Sequence, residues 1–387
     1  MINVILLGQG LVANHFAVGI ERIKNDEIKP YGIPLSKKDI KHKIEEIKII
    51  GSYDVNREKI WKTIHEIAEK EIGKDVPIPE TLKEIIVKEG IHLGSLKGVI
   101  KNTEGLEEKR TILDAVQILI EQWKEIRPDV VVNVITTEYG EAFNKKGELQ
   151  KAIEKNYIDK LTASQVYAYT LAKYVEETKR KAAFVNVIPT PLANDDAMTQ
   201  LYEEEGIPIF GDDGATGATP LTSDLLEHLA ERNRNVKFIV QFNIGGNTDF
   251  LALTVPNKNI MKEETKSSIV KDILGYDAPH YIKPTGYLEP LGDKKFVSLH
   301  MEYLTFNKLK DEIYVNMRMY DSPALAGNLV DLVRLSKLCV EKKLKGTIYP
   351  INAFYMKKPG PQKSKSISKI VAYQRLIEWL KELGEIP

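Results

Sequence analysis

The first two dozen residues constrain the fold most. An apolar run, Val4–Leu7, leads straight into Gly8-Gln-Gly-Leu-Val-Ala13 and then into a helical pattern, Val12–Lys24. Strand, glycine turn and helix in that order open a wound α/β unit. Gly8, Gly10 and Ala13 match G-x-G-x-x-A, in which small residues permit a tight turn and bring backbone close to a pyrophosphate; Leu11 and Val12 complete that turn. A purely structural turn is the alternative. The second strand, Ile47–Tyr53, ends at Asp54, from where a carboxylate can bind ribose hydroxyls and repel a 2′-phosphate, favouring NAD over NADP. Its distance from Gly8 is much longer than the usual ~20 residues of this fingerprint.

Further strand-like runs at Val130–Thr136, Ala182–Ile188 and Ile207–Phe210 alternate with helical patterns at Thr111–Ile126, Ala163–Glu177 and Asp195–Glu205. Such alternation predicts a parallel sheet with helices on both faces. After Leu229 the texture changes. Lys237–Phe242, Phe250–Leu253, Phe296–Phe306 and Glu312–Met319 read as strands with short links, and a helix returns at Ala324–Lys342, then a strand, Gly346–Tyr355, and a helix, Ile370–Leu383. The expected fold is α/β: a Rossmann-like, doubly wound domain from 1–222 and 326–387, with an α+β domain, 223–325, inserted.

Charge narrows the partners. Lys+Arg and Asp+Glu both number 55 in 387 residues, which removes the electrostatic argument for nucleic acid. One cysteine, Cys339, gives no disulfide framework and fits a reducing cytoplasm. Val4–Leu7 is too short for a signal segment or membrane span, so a cytoplasmic protein that does not enter membranes is expected.

The stretch Gly211-Asp-Asp-Gly-Ala-Thr-Gly-Ala-Thr219 precedes a helix read at Ser223–Ala230. Glycines and hydroxyls at a helix start present bare N–H groups to a phosphate. The pair Asp212-Asp213 can hold a cation or cap the turn, although adjacent side chains on an extended chain point apart. Asn243-Ile-Gly-Gly-Asn247-Thr-Asp249 suits hydroxyl recognition, with an ordinary Asx-rich turn as the favoured alternative. Lys262 and Lys266 share one face if helical. A lysine near another cation or partly desolvated loses proton affinity and can work as acid or base. Asp321 is equally suited to capping the returning helix. The seven histidines show no metal-ligand spacing.

In order along the chain, GQGLVA, SYD (52–54), NVIPT (186–190), GDDGATGAT, NIGGNTDFLAL (243–253), KEETKSS (262–268), GDKK (292–295), DSP (321–323) and FYMKKP (354–359) resemble the inositol-1-phosphate synthase family, in its shorter archaeal and bacterial branch. The resemblance implies an NAD-dependent isomerase that turns D-glucose 6-phosphate into 1D-myo-inositol 3-phosphate, working as a homotetramer, with a monovalent or divalent cation as a further expectation. It implies catalytic Lys262, Lys266, Lys295 and Lys357, oriented by Asp293 and Asp321. Cofactor contacts would include Thr137, Pro189, Asp212 and Ala215 beside the first glycine turn and Asp54. Thr216, Gly217, Ala218, Thr219, Asn243, Asn247 and Asp249 would serve substrate and phosphate. One position departs: the family motif reads GDD-x-K-S, and here Ala215 and Thr216 stand at its lysine and serine. A dehydrogenase of a phosphorylated polyol and a non-catalytic sugar-phosphate sensor are the alternative readings.

Overall fold

The computed structural model describes the backbone of all 387 residues and the side chains of all but 261 and 264–267. Its strands are β1 (Ile2–Leu7), β2 (Ile47–Asp54), β3 (Val87–Glu89), β4 (Val130–Asn133), β5 (Ala183–Asn186), β6 (Pro208–Phe210), β7 (Asn235–Gly245), β8 (His280–Tyr287), β9 (Lys294–Leu304), β10 (Lys310–Tyr320) and β11 (Gly346–Thr347). Seven of them form one sheet in the order β3-β2-β1-β4-β5-β6-β11, with every pairing parallel. The first six follow the doubly wound order, in which the direction of winding reverses between β1 and β4. A ligand crevice belongs outside the carboxyl ends of those two strands.

Both faces of this sheet are covered at its centre, so β1, β4, β5 and β6 are mostly apolar and buried, while charged residues enter only at the flanking β2 and β3. Ile2, Val4 and Leu6 of β1 pack into one core with Ala13, Phe16 and Ala17 of the first helix, Leu11–Lys24, and with Leu329, Leu332 and Val333 of helix Ser322–Glu341. Ile5 and Leu7 point the other way, into a core with Leu119, Trp123 and Leu171. The period of two along a strand divides the two cores.

The second sheet, β10-β9-β7-β8, is mixed: β10 and β7 run antiparallel to β9, and β8 parallel to β7. One face carries Ile239, Leu299 and Met301 against Leu226 and Leu229 of helix Ala218–Glu231 and Ile269 and Val270 of helix Pro256–Leu274. The chain then returns through β11 to the first sheet.

Three expectations change. Phe250–Leu253 is not a strand: Thr248–Ala252 is a short helix, because the Asn247 side chain accepts from the Phe250 N–H and caps it. Gly346–Tyr355 is a two-residue strand followed by helix Tyr349–Tyr355, opened by a proline in its first turn. The helix read at Ser223–Ala230 begins five residues earlier, at Ala218, so Gly217 is its cap and Thr219 lies in its first turn. Among the described residues no helix is long and apolar enough to cross a membrane.

Candidate active site

At the end of β1, Gly8 has φ +91°, and a Cβ there would stand 2.9 Å from Ile135 Cα, where the chain leaves β4. Only glycine fits both constraints. Gly10 precedes helix Leu11–Lys24 with no side-chain cap and no acidic residue in the first turn, and a Cβ on Gly10 would meet nothing within 4 Å. The helix start therefore faces open space with its N–H groups uncovered by side chains, which is how a helix receives a phosphate. Asp54 braces this turn: its carboxylate accepts from Gln9 N at 2.8 Å, Val55 N at 2.7 Å and Asn56 N at 2.8 Å. Behind it Ser52, Gln9, Asn14 and Glu71 form a hydrogen-bonded chain ending on Lys59.

A cavity of about 1060 Å³ runs from this turn to the second sheet. Gly8, Gly10, Leu11, Val12 and Asp54 line it at this turn; Thr137, Thr216, Asn247, Asp249, Lys262, Asp293, Asp321 and Lys357 line the part towards the second sheet. Helix Pro256–Leu274 brings Lys262, the segment after helix Tyr349–Tyr355 brings Lys357, and the loop after β6 brings Asp213 between them. Asp213 Oδ1 accepts from Lys262 Nζ at 3.0 Å and from Lys357 Nζ at 2.9 Å. Lys262 also lies 3.7 Å from Asp249, whose other oxygen accepts from Thr137 Oγ1 at 2.7 Å.

One carboxylate oxygen cannot compensate two buried ammonium groups equally. Burial disfavours the Lys262 cation, but Asp213 and Asp249 outweigh it and hold its pKa above the ordinary value. Burial dominates at Lys357, and despite Asp213 its pKa is lowered, with Lys262 adding like-charge repulsion.

A second pair lies beside the first. Lys295 Nζ is 2.8 Å from Asp321 Oδ1, which also accepts from Thr216 Oγ1 at 3.0 Å. Burial would raise the Asp321 pKa, yet Lys295, Lys357 and Lys262 bring it down to about 2. Asp293 accepts from Asn247 Nδ2, Ser322 N and Ser322 Oγ at 2.9, 2.9 and 2.6 Å, fixing the turn that presents Lys295. Gly217, at φ +68°, passes so close to Lys295 that a Cβ there would overlap its Nζ.

Not every expected residue reaches the cavity wall. Lys295 stands one contact behind it, through Asp321. Asp212 is wholly buried and turned away, accepting from Asn186 and Asn194 side chains and from Leu192, Ala193 and Asn194 N–H groups. Asn243 is held inside the second sheet by Thr285 and the Lys283 carbonyl. Ala13 is core, while Pro189, Ala215, Gly217, Ala218 and Thr219 are buried or half-buried outside the lining. The Lys266 side chain lies outside the described residues.

Sequence reasoning missed three participants. Asp213 looked like half of a turn-capping pair; its left-handed φ of +61° swings it opposite to Asp212. His15 lines the cavity one turn into the first helix, with burial lowering its pKa against Asp293 and Asp75. Lys258, four residues before Lys262, is buried behind the lining and acts on it only through the Ser95 carbonyl, to which it donates; the four-residue spacing was its only signal. Among the described residues no group of three or more His, Cys, Asp and Glu side chains is placed to hold a metal ion.

Comparison with known proteins gives this geometry a lineage. A family model described as myo-inositol-1-phosphate synthase matches residues 217–322, from the glycine beside Lys295 to the serine that holds Asp293. The crystal structure of a myo-inositol-1-phosphate synthase-related protein from Thermotoga maritima MSB8 is 53% identical, covers 98% of each chain and superposes with a TM-score of 0.93. The chain belongs to the myo-inositol-1-phosphate synthase family. The inositol-3-phosphate synthases of Mycolicibacterium smegmatis and Corynebacterium glutamicum are 24% and 26% identical, over 95% and 93% of this chain and 96% and 94% of theirs. At 16% identity the Caenorhabditis elegans inositol-3-phosphate synthase shares the fold, with a TM-score of 0.84 over all of this chain and 86% of its own.

Proposed function

We propose that this member of the family is an NAD-dependent inositol-3-phosphate synthase that cyclises D-glucose 6-phosphate to 1D-myo-inositol 3-phosphate. The observation that carries the reading is a single cavity with an uncapped, glycine-fronted helix start at one end and Lys262, Lys357 and the Lys295–Asp321 pair at the other. Relatives named inositol-3-phosphate synthase, aligned over nearly the whole length, support it. The proposed division, a Rossmann-like domain from 1–222 and 326–387 with a 223–325 domain inserted, is supported by the chain forming two separate sheets.

Gly8, Gly10, Leu11 and Val12 would hold the dinucleotide pyrophosphate, with Asp54 at the adenosine ribose. NAD held there would supply the hydride acceptor and, once reduced, the hydride donor that carbon 5 of the sugar needs. Lys357, whose proton affinity is lowered by burial, is the amine suited to take a proton from substrate. Lys262, held charged by Asp213 and Asp249, is the fixed cation for developing oxyanions, and Lys295, one contact behind the wall, holds Asp321 in place. Thr216, at the cavity wall, would offer its hydroxyl to phosphate by turning it from Asp321; Ala215, at the family's lysine position, is sealed against Tyr355 and Asn328 and offers no cation.

The test is incubation with NAD and glucose 6-phosphate, following inositol phosphate and NADH together. The synthase forms inositol phosphate with no net NADH. Accumulating NADH, or NAD binding with neither product, would replace this reading with a dehydrogenase or a sensor.

A further inference from the structure

One buried lysine outside the cavity is Lys369, the first residue of the last helix, Lys369–Glu382. It is 6% exposed and does not line the cavity. Its Nζ donates to the Ala353 and Met356 carbonyls, each at 2.6 Å. These belong to the end of helix Tyr349–Tyr355 and to the residue immediately before Lys357. Helix ends leave carbonyls without partners, and a lysine is a natural cap for them. This one comes from another helix, however, and it lands on the peptide that carries a substrate-facing amine.

The opposite edge of the same segment is already pinned. Ala215 N donates to Tyr355 O at 2.7 Å, Lys357 N to Asp213 O at 2.7 Å, and Asp212 N to Lys358 O at 2.8 Å. Residues 355–358 therefore lie between the loop that bears Asp213 and the Lys369 amine. Ser366 extends the clamp, its Oγ donating to the Lys357 carbonyl at 3.0 Å while its N–H donates to Asp272 of helix Pro256–Leu274. We propose that Lys369 is the positioning residue of Lys357: its two hydrogen bonds orient the peptide from which the Lys357 side chain reaches Asp213 and the cavity. This rests on reading Lys357 as part of the catalytic set.

The charged groups that face Lys369 are Asp224, on helix Ala218–Glu231, and Lys357 itself. Burial pulls the Lys369 pKa down to about 7, with Asp224 opposing and Lys357 assisting. Below that pH three N–H donors carry a full charge at the helix end; above it two remain, one for each carbonyl.

The experiment compares wild type, Lys369→Met and Lys369→Gln, the last keeping two N–H donors. Turnover with glucose 6-phosphate, NAD binding by fluorescence titration, and trace acetylation of Lys357 by acetic anhydride, read by peptide mass spectrometry across pH 5.5–9.5, are measured on each. Lys369→Met is expected to bind NAD within about threefold of wild type and to keep KM, while kcat falls roughly 10- to 100-fold, the scale of a misplaced proton carrier. Lys369→Gln should regain at least part of that loss. Wild-type Lys357 labelling should show an inflection near pH 7 that both variants lack. Unchanged kcat and an unchanged labelling profile in Lys369→Met overturn the proposal, as does a parallel loss of NAD binding and kcat, the mark of a merely structural lysine. If Lys369→Met does not fold, the labelling profiles of wild type and Lys369→Gln decide. Labelling needs no turnover, so a chain inactive on glucose 6-phosphate would fail the synthase reading while the labelling profiles still decide the positioning role of Lys369.

Discussion

Asp213 shows how much of this site's chemistry is set by one residue. It supplies a single oxygen to two lysines, and the outcome is asymmetric because Lys262 has Asp249 as well while Lys357 has burial against it. Asp213→Asn removes the shared charge and leaves two buried ammonium groups facing each other. We expect kcat to fall by roughly 10²–10⁴, with NAD binding retained because the glycine turn is braced by Asp54 instead. A variant with near-normal turnover would show that the lysines do not depend on this carboxylate. Lys369 gives a second prediction with a definite sign. Its pKa is about 7 in the folded protein against 10.5 ordinarily, so between those values the unfolded chain holds the additional proton. Stability contributed by this residue must then rise with pH from about 7 towards 10, by at most about 1.4 kcal/mol per pH unit. Urea midpoints at pH 7 and 9.5 should diverge more for wild type than for Lys369→Gln; equal divergence would mean that Lys369 does not titrate in this window.

At the level of elements, the inner strands β2, β1, β4, β5 and β6 of the first sheet were legible because they are largely apolar runs separated by strongly periodic helices, whereas the edge strand β3, Val-Lys-Glu, has no such run and went unread. Elements whose local pattern is weak were misread. Phe250–Leu253 is apolar enough for a strand, and only the contact of the Asn247 amide with the Phe250 N–H decides for helix. Asn243 and Asp212 sat in polar, glycine-rich motifs that promise ligand contact, yet the fold commits their side chains to the Lys283 carbonyl and to the Leu192–Asn194 backbone. What sequence cannot display is which way a side chain turns when the loop that carries it is ordered by distant partners. Gly217 shows the same dependence on long-range contact. It starts helix Ala218–Glu231 at positive φ and leaves room for Lys295. Gly217→Ala should therefore cost roughly 1–3 kcal/mol of stability and, by displacing Lys295 from Asp321, lower turnover more than it lowers cofactor affinity. Thermal melts and parallel NAD titrations test both halves; a variant of wild-type stability and activity would mean that Lys295 can shift without consequence.

The whole molecule leaves one surface unaccounted for. The second sheet buries one face on helices Ala218–Glu231 and Pro256–Leu274, and on the other β7, β8 and β10 expose Phe242, Tyr281 and Tyr314 at 44%, 42% and 64%. These residues share a face by register: Val240 pairs with Tyr281 and with His300, and His300 with Tyr314, whose rings stack at a centroid distance of 4.2 Å, while Phe242 follows Val240 by two residues. Aromatic side chains exposed in a row on a sheet seldom stay wet, since each gains about 25 cal/mol for every Å² it hides. A second copy of the same face, related by a two-fold axis, is the simplest partner, and one such axis gives a dimer. Light scattering coupled to gel filtration should therefore return at least twice the chain mass, and Tyr314→Glu, which puts a charge at the β10 edge of the patch, should return a smaller species. Because Tyr314 does not line the cavity, NAD affinity should survive in that variant unless assembly itself holds helix Pro256–Leu274 and its lysines in place. A wild-type chain that runs as a monomer at micromolar concentration would remove the assembly reading and leave the aromatic face to another partner.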